Sequence, residues 1–395
     1  MPKRILLLTF FYPPDLSAGS FRAQALVEAL REQSGDGVQI DVLTTQPNRY
    51  HCHASVTDAF EQEGRVRVRR IQLPAHKSGF VDQAKSFAAF AYQADRLARE
   101  DRYDLVIATS SRLMTAVLGA WIAYRQRAAL YLDIRDLFVK NVKELFRVPV
   151  GKPLSKLFGV LERWAFRRAD KINLVSPGFL KHFQDKYPNR HFSLYSNGID
   201  DDFLKFPQSP VVPTIAHRPL QVLYAGNIGD GQGLHLIVPE LAQRLQGRVH
   251  FRVVGAGGRV QMLREAVASG RLDNVELIAP MPRDQLLDIY HQADVLFLHL
   301  NDFRAFRRVL PSKLFEYAAT GKPIWAGVAG YASDFLAAEV SNAVVFAPCN
   351  VDQAVLALER LRLEQMPRPE FVKRFARSLI MQPMAKDVLT LLKDR

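Results

Sequence analysis

Residues 310–324 read Leu310-Pro311-Ser312-Lys313-Leu314-Phe315-Glu316-Tyr317-Ala318-Ala319-Thr320-Gly321-Lys322-Pro323-Ile324. The proline and the serine predict a helix N-terminus at which the Ser312 side chain caps free amides, and Gly321 predicts the end of that helix. The apolar residues 324–326 then predict a buried strand. A short helix that leads directly into a buried strand is typical of an α/β fold.

Two charged residues of this stretch share one face of the predicted helix, because Lys313 and Glu316 are three positions apart. They lie near the helix N-terminus, where free amides and the helix dipole favour an anion. A cation for phosphate and a carboxylate for neighbouring hydroxyls suit a nucleotide-sugar diphosphate. A solvated Lys–Glu pair on an amphipathic helix accounts for the same residues equally well.

The composition is that of a soluble globular protein with more than one core. The chain has 395 residues, 48% of them hydrophobic and 24% charged, so two domains are expected. Its cysteines, Cys52 and Cys349, are too far apart in sequence to indicate a disulfide framework or a zinc site, which favours a reducing compartment. The apolar run Ile5–Phe11 ends in prolines and predicts a first strand rather than a signal peptide.

The net charge is strongly positive, +13 at pH 7, which indicates an acidic partner. The segment from Lys140 to Arg190 holds twelve Lys or Arg residues and four acidic ones. Within it, Leu154, Leu157, Phe158, Leu161, Trp164 and Phe166 interleave with bases. A basic amphipathic helix is typical of binding to an anionic membrane surface. The alternative is that the apolar residues pack in the core and the bases are solvated. Nucleic acid is not expected, because no recognition motif accompanies the charge.

Short apolar runs alternate with helical patterns along the whole chain, which predicts parallel sheets covered on both faces. Three prolines between Phe206 and Pro213 predict a linker at 207–213. The linker separates an N-terminal domain, residues 1–206, from a second Rossmann-like domain, residues 214–370. The C-terminal region, residues 371–395, has a helical pattern from Phe371 to Lys393 that is broken near Pro383. Two such domains facing each other make a central cleft.

Several loops that follow predicted strands have residues suited to a ligand. These are the loop from Pro13 to Ser20, the glycine-rich loop from Gly226 to Gly233, and the turn from Gly255 to Gly258. None matches a Walker A or G-x-G-x-x-G pattern. Three charges in Asp133-Ile134-Arg135-Asp136 follow another strand, where a solvated strand end would look the same. No residues have convincing metal-ligand spacing, so no metal site is predicted.

An ordered set of motifs now points to a known family. The motifs are Pro13–Ser20, Leu132–Leu137, Leu161–Trp164 with Arg168–Asp170, Val175–Phe179, Ser196–Asp200, Gly226–Gly229 with Gln232–Leu234, Gly255–Gly257 and Leu310–Pro323. Over almost its whole length the chain resembles the retaining glycosyltransferases of family 4, which have the GT-B fold. The nearest resemblance is to the bacterial surface-polysaccharide branch of the N-acetyl-fucosaminyl transferase type. The resemblance also implies a C-terminal helix that crosses back to the first domain.

The resemblance implies roles for the matching positions. Glu316 would hold the donor ribose, and Lys313 would contact the diphosphate, so both are expected in catalysis together with Arg308 and Asp136. Asp133 and Arg135 would lie on the acceptor side. The remaining expected donor-binding residues are Gly19, Ser20, Gly226, Asn227, Gly255, Gly257, Met281, Ser312 and Leu314.

The chain departs from the family pattern at three places. Many relatives have a glutamate where this chain has Arg308, eight residues before Glu316. Many also have an Arg and a Lys at the positions of Asn227 and Gln232. A histidine that is frequent in the family corresponds to Arg135. These changes also occur in the surface-polysaccharide branch, and they suggest that the diphosphate charge is compensated from the other side of the site.

The implied reaction moves a sugar with retention of its anomeric configuration from a nucleotide-diphosphate donor, expected to be a UDP-sugar. The acceptor is expected to be a glycan or a polyprenyl-diphosphate-linked sugar. Cationic side chains would stabilise the leaving phosphate, so no metal or other cofactor is expected. The expected location is the cytoplasmic face of the cell membrane, as a peripheral protein. The alternatives are a nucleotide-sugar epimerase of the same fold and a catalytically silent GT-B protein that binds a membrane or partners.

Overall fold

The computed structural model describes residues 2–47, 57–74, 80–110, 113–137, 151–206 and 218–393. The chain forms two compact units. The first comprises residues 1–198 and 377–395, and the second comprises residues 199–376. The predicted linker 207–213 lies outside the described residues, as do Lys140, Lys143 and Arg147 of the basic segment. The chain passes between units after Gly198 and after Ala376, not at the predicted boundaries near 206 and 370.

The first unit is built on an eight-stranded sheet in the order β3-β4-β2-β1-β5-β6-β7-β8. All neighbouring strands are parallel except β3, which pairs antiparallel with β4. The strands are β1 (Lys3–Leu8), β2 (Val38–Thr45), β3 (Phe60–Glu63), β4 (Val66–Ile71), β5 (Leu105–Ser110), β6 (Ala129–Ile134), β7 (Lys171–Leu174) and β8 (Phe192–Ser193). The central strands are continuous apolar runs because helices cover both faces.

The second unit has a six-stranded parallel sheet in the order β11-β10-β9-β12-β13-β14. Its strands are β9 (Leu220–Ala225), β10 (Val249–Val254), β11 (Val275–Ile278), β12 (Val295–His299), β13 (Ile324–Gly327) and β14 (Ala343–Phe346). Two hydrophobic clusters use opposite faces of this sheet. Leu223 and Leu296 belong to one cluster, whereas Val222 and Phe297 belong to the other, as the period-2 alternation of strands requires.

Helices connect the strands of both units. The helices of the first unit are α1 (Ala18–Gln33), α2 (Phe80–Leu97), α3 (Leu113–Gln126), α4 (Gly151–Arg168) and α5 (Leu180–Lys186). Those of the second unit are α6 (Asp201–Leu204), α7 (Leu234–Arg244), α8 (Val260–Ser269), α9 (Arg283–Gln292), α10 (Ser312–Ala319), α11 (Tyr331–Glu339), α12 (Val351–Arg360) and α13 (Pro369–Phe375). The last helix, α14 (Arg377–Lys393), belongs to the first unit, where Met384 and Val388 share a core cluster with Leu26 and Leu30 of α1.

The predicted α/β class and the two parallel-sheet domains are confirmed, but several local details differ. Strand β3 was not predicted, because all four of its residues are exposed and only pairing with β4 makes it a strand. The C-terminal pattern breaks at Ala376, whereas Pro383 lies inside α14. Ser312 is the first residue of α10 rather than its cap, and no side chain caps this helix.

Candidate functional site

Helix α10 brings Lys313 to the glycine-rich loop that follows β9. The Lys313 ammonium contacts the position that a Cβ atom would occupy on Gly226, whose φ is +142°. The ammonium also lies 5.4 Å from the ring centroid of Tyr224 on β9. A side chain at position 226 would therefore displace Lys313 and would strain the backbone. The structure thus brings together Lys313 and Gly226, two residues that sequence reasoning assigned to the donor.

Glu316 lies one turn further along α10 and is half-buried. Burial raises the pKa of both Tyr290 and Tyr317, and the Glu316 charge raises them further. The Tyr317 hydroxyl accepts a hydrogen bond from the amide of Ala225, the last residue of β9. Leu314 is buried, so α10 is anchored by its apolar face while Lys313 and Glu316 remain partly accessible.

The loop from Gly226 to Gly233 is closed by two neutral side chains. The amide nitrogen of Asn227 donates to the Gln232 side-chain oxygen at 2.7 Å. The same oxygen accepts from the Gly229 amide at 3.2 Å. These are the positions at which the resemblance leads one to expect two cations. The two ends of the loop are therefore joined by an amide–amide hydrogen bond, and its Asp230 also pairs with Arg259 through two hydrogen bonds at 2.5 and 2.8 Å.

The turn after β10 packs directly on this loop. A Cβ atom on Gly255 would collide with the carbonyl oxygen of Gly226, and one on Gly257 would collide with that of Ile228. The Ile228 amide donates to the Ala256 oxygen at 2.9 Å. Both glycines are thus required for the packing of backbone on backbone. Their contact with a ligand stays a prediction.

Two further candidates of the second unit lie between regular elements, Arg308 after β12 and Met281 after β11. Arg308 ends a single 3-10 turn, Phe306–Arg308, and is half-buried. Its neighbour Arg307 forms an ion pair with Asp302 at 3.0 Å. Met281 is half-buried and packs against the core cluster that contains Leu314.

Sequence reasoning missed two polar residues behind the glycine-rich loop, His299 and Asn301. His299 is fully buried, and its Nδ1 lies 2.6 Å from the Gln232 carbonyl oxygen. The Asn301 side chain donates to the Asp230 carbonyl oxygen at 3.0 Å. The available signal was a histidine and an asparagine at the carboxyl end of the apolar strand β12, which is where ligand loops arise in such sheets.

In the first unit, the predicted donor residues Gly19 and Ser20 lie in the first turn of α1. The Ser17 side chain caps this helix by accepting from the Ser20 amide at 3.1 Å. The Arg135 guanidinium covers Gly19 so closely that a Cβ atom there would collide with it. The structure therefore places the predicted acceptor-side residue Arg135 against the predicted phosphate loop of the same unit.

Asp133 does not fit the predicted acceptor-side role. Its side chain is only 1% exposed, as is that of its ion-pair partner Arg22. The carboxylate accepts from Arg22 Nε at 2.9 Å and Nη2 at 3.0 Å, and from Asn173 at 2.7 Å. Burial alone would raise the pKa of Asp133, but Arg22 and these hydrogen bonds hold it below its usual value. Asp133 is therefore a structural group that ties together the ends of β6 and β7.

The other candidate after β6 is more accessible. Asp136 is half-buried, and its Oδ1 accepts from the amide of Leu137 at 2.8 Å. Since it follows the strand end rather than lying within the sheet, Asp136 keeps its place as the candidate acceptor-side carboxylate.

Helix α4 has an outer face on which apolar and basic residues alternate. Its exposed apolar residues are Leu157, Val160 and Trp164, with 54%, 53% and 37% of their surface accessible. The exposed bases on the helix include Lys156, Arg163 and Arg167. Phe166 was expected on the same face but is buried, stacked 5.0 Å from Phe183. Among the described helices, none is both long enough and apolar enough to cross a bilayer.

The chain matches two families, one in each half. Residues 19–198 match the family described as glycosyl transferase 4-like domain, and residues 206–378 match glycosyl transferases group 1. A curated relative is the glycosyl transferase WcaI of Escherichia coli (strain K12), which is named for colanic acid biosynthesis. It is 24% identical over 341 residues, which cover 80% of this chain and 81% of WcaI.

Solved structures share the whole fold at low identity. HepE of Anabaena, in complex with UDP and glucose, has a TM-score of 0.65 at 15% identity and covers 98% of this chain and 100% of its own. WaaG, a glycosyltransferase involved in lipopolysaccharide biosynthesis, has a TM-score of 0.64 at 14% identity, covering 99% and 98%. A trehalose 6-phosphate synthase from Burkholderia multivorans has a TM-score of 0.69 at 14% identity and covers both chains completely.

Two Rossmann-like units and the two matched domains define a glycosyltransferase of the GT-B class. The glycosyl transferase 4-like match in the first half and the group 1 match in the second half support a glycosyltransferase of the GT4 kind.

Proposed function

We propose that this protein is a retaining glycosyltransferase that moves a sugar from a UDP-sugar to a glycan or a polyprenyl-diphosphate-linked acceptor during bacterial surface-polysaccharide synthesis. Support for the donor comes from HepE, a fold relative whose structures contain UDP with glucose, and UDP-glucose. Support for the pathway comes from WcaI and WaaG, which are named for colanic acid and lipopolysaccharide biosynthesis. The N-acetyl-fucosaminyl type of transfer is part of the proposal and rests on the sequence resemblance.

The observation that carries the proposal is the placement of Lys313 against Gly226, with Glu316 one turn away. This puts a cation and the free amides of a helix N-terminus beside a ligand loop, which is an environment for a diphosphate. Glu316 is the candidate partner for the ribose hydroxyls. Because the site is half-buried, its charges act in a medium of lower effective dielectric than water.

The proposed step breaks the bond between the anomeric carbon and the diphosphate oxygen. The acceptor oxygen bonds to the same carbon from the same face, and its proton passes to the departing phosphate oxygen. Negative charge that grows on the phosphate is stabilised by Lys313, Arg308 and the α10 amides. Asp136 is proposed to orient the acceptor. No metal or other cofactor is needed in this scheme, since cations of the chain take the role of the ion.

We also propose that the protein acts at the cytoplasmic face of the membrane, with α4 as its contact. The exposed stripe of Leu157, Val160 and Trp164 offers apolar and aromatic groups to the lipid interface. Bases on the same helix offer charge for anionic lipid headgroups. A lipid-linked acceptor would then be presented at the surface to which the enzyme is bound.

Two alternative functions can be distinguished from glycosyl transfer by experiment. An epimerase of this fold would convert the donor alone and release a sugar isomer. A catalytically silent protein would bind a membrane or a partner and turn over no nucleotide sugar. Incubation with a panel of nucleotide sugars, with and without lipid-diphosphate sugar, separates all three.

The site itself is tested by calorimetry with UDP and GDP on Lys313→Ala and Glu316→Ala. Each substitution is expected to weaken nucleotide binding at least about tenfold, the equivalent of one charge-assisted hydrogen bond. Lys373→Ala and Glu364→Ala are matched controls, because both side chains are exposed on the same unit. Unchanged affinity in both site variants, with a folded protein, would contradict the site assignment.

A further inference from the structure

His299, the last residue of β12, and Asn301, two residues further along, hold three successive carbonyl groups of the glycine-rich loop. His299 Nδ1 lies 2.6 Å from the Gln232 oxygen. The Asn301 backbone amide donates to the Gly231 oxygen at 2.9 Å, and its side chain donates to the Asp230 oxygen at 3.0 Å. The carbonyl side of residues 230–232 is thus fixed to the neighbouring strand.

The hydrogen bonds of His299 define its tautomer. A carbonyl oxygen only accepts, so Nδ1 must carry the proton that it shares with Gln232. The other ring nitrogen, Nε2, accepts from the Cys349 amide at 3.0 Å and is therefore unprotonated. Burial lowers the pKa of His299 to about 4, so this neutral form is maintained near neutral pH. The ring is a rigid spacer between the glycine-rich loop and the loop that carries Cys349.

A glycine-rich loop without lysine or arginine depends on the orientation of its N–H groups, and therefore on this support, more than a loop with such cations would. Residues 226–233 contain no Lys or Arg, and their one charged residue, Asp230, pairs with Arg259. The contribution of the loop to binding an anion therefore comes from N–H groups. Among the described residues, the amides of Asp230 and Gly231 have no protein acceptor. The Gly231 amide shares its peptide plane with the Asp230 carbonyl, so the hydrogen bond of that carbonyl to Asn301 points the Gly231 amide in the opposite direction. The amides of Gln232 and Gly233 share planes with the other two held carbonyls, and both donate to the Gly229 oxygen at 3.2 Å, which closes the turn.

We propose that His299 and Asn301 are positioning residues of the donor site. By holding the carbonyls of residues 230–232, they fix the turn that the Gln232 and Gly233 amides close on Gly229, so that the Gly231 amide is aimed at the donor diphosphate. The inference rests on the proposed function, because it assumes a nucleotide diphosphate in front of this loop. Neither residue touches the donor; both act through the loop.

Two substitutions at His299 separate this role from plain packing. The Asn side-chain nitrogen takes the place of Nδ1, so His299→Asn keeps a donor toward Gln232 and loses the contact with Cys349. In His299→Gln the side-chain oxygen takes the place of Nε2, so the contact with Cys349 is kept and the donor toward Gln232 is lost. Both variants lose the aromatic ring, which lies about 6 Å from Phe297 and Phe346.

The assay measures UDP and GDP affinity by calorimetry, turnover with the best nucleotide sugar, and the thermal midpoint. His299→Gln is expected to lose affinity about tenfold, the worth of 1.4 kcal/mol. Turnover should fall by up to about 100-fold, the effect of misplacing a site by about 1 Å. His299→Asn should lose much less affinity and turnover than His299→Gln, although the thermal midpoint should fall by a similar amount in both variants. Asn301→Ala should behave like His299→Gln.

Two results would contradict the inference and are distinguishable from each other. If the unmodified protein binds UDP or GDP and both His299 variants lose affinity equally or not at all, the positioning role is wrong and the donor site stands. If the unmodified protein binds neither nucleotide, the proposed function fails and this inference fails with it.

Discussion

Replacing Arg22 with methionine removes the partner of a buried charge while keeping an unbranched side chain of similar length. Arg22 and Asp133 are each 1% exposed, and two guanidinium nitrogens bind the carboxylate at 2.9 and 3.0 Å. Arg22 also donates to the Tyr195 carbonyl oxygen at 2.9 Å. In Arg22→Met the Asn173 side chain still donates to the carboxylate at 2.7 Å, but the two guanidinium hydrogen bonds are lost. Breaking a buried pair in this way typically costs about 3–5 kcal/mol.

That loss is a large part of the whole stability of a domain, which is about 5–15 kcal/mol. Urea unfolding should therefore show a strong fall in the midpoint of the first unit. The double variant Arg22→Met with Asp133→Asn removes the buried charge as well and should recover most of the loss. Transfer activity of the double variant, where folded, should survive, because the Asp133 side chain is buried within the sheet.

The reasoning is refuted if the double variant is as unstable as the single one, since Arg22 would then not be neutralising Asp133. It is also refuted if Asp133→Asn alone abolishes transfer without changing the unfolding midpoint. That second result would restore the acceptor-side role predicted from the sequence.

Three further predictions concern metal, membrane and acid. Transfer should persist in EDTA, and strict loss that manganese or magnesium restores would contradict metal independence. Replacing Lys156, Arg163 and Arg167 by Gln should abolish salt-sensitive binding to anionic vesicles, because each base contributes about 1 kcal/mol at such a surface. Acid should destabilise the second unit through His299, whose pKa falls from the usual 6.5 to about 4 on folding. The unfolded state takes up this proton first, so stability that is present above pH 6.5 declines by about 3 kcal/mol as pH falls to 4.

The vesicle-binding and the acid-stability experiments each have an internal control. Gln at Arg264, Arg271 and Lys373, exposed bases of the second unit, should leave vesicle binding intact, and nucleotide affinity should be unchanged by the α4 substitutions. If the α4 variant still co-sediments like the parent, its bases are merely solvated. For the acid effect, the gap in unfolding free energy between the parent and His299→Asn should narrow toward pH 4; a constant gap would contradict the linkage.

Much of the architecture could be predicted from the sequence, because buried parallel strands are continuous apolar runs. The residues 324–326, which were predicted as a buried strand, are the first three residues of β13. The pairing between strands could be predicted less well from the sequence. Strand β3 has no apolar signal of its own, and it forms because β4 offers an open edge. Pro383 is tolerated inside α14, so the residue expected to break the helix does not.

The candidate site likewise has features that the local sequence reveals and features that depend on distant residues. A spacing of three between Lys313 and Glu316 is a local property and could be recognised directly. The roles of Asp133 and His299 are set by residues far away in sequence, such as Arg22 and Gln232. Motif reading treated a charged strand end as a ligand group and overlooked a histidine at a strand end. Only the packing showed that Asp133 is buried in an ion pair and that His299 supports a loop.

The central claim is that this chain transfers a sugar from a nucleotide sugar to an acceptor. Its most direct test is incubation with labelled UDP- and GDP-sugars, with and without a polyprenyl-diphosphate-linked sugar, followed by product analysis. The account predicts a glycosylated acceptor, formed only when both substrates are present, absent with Lys313→Ala, and with the anomeric configuration of the donor. Release of an isomeric sugar from the donor alone, an inverted linkage, or no turnover across the panel would contradict it.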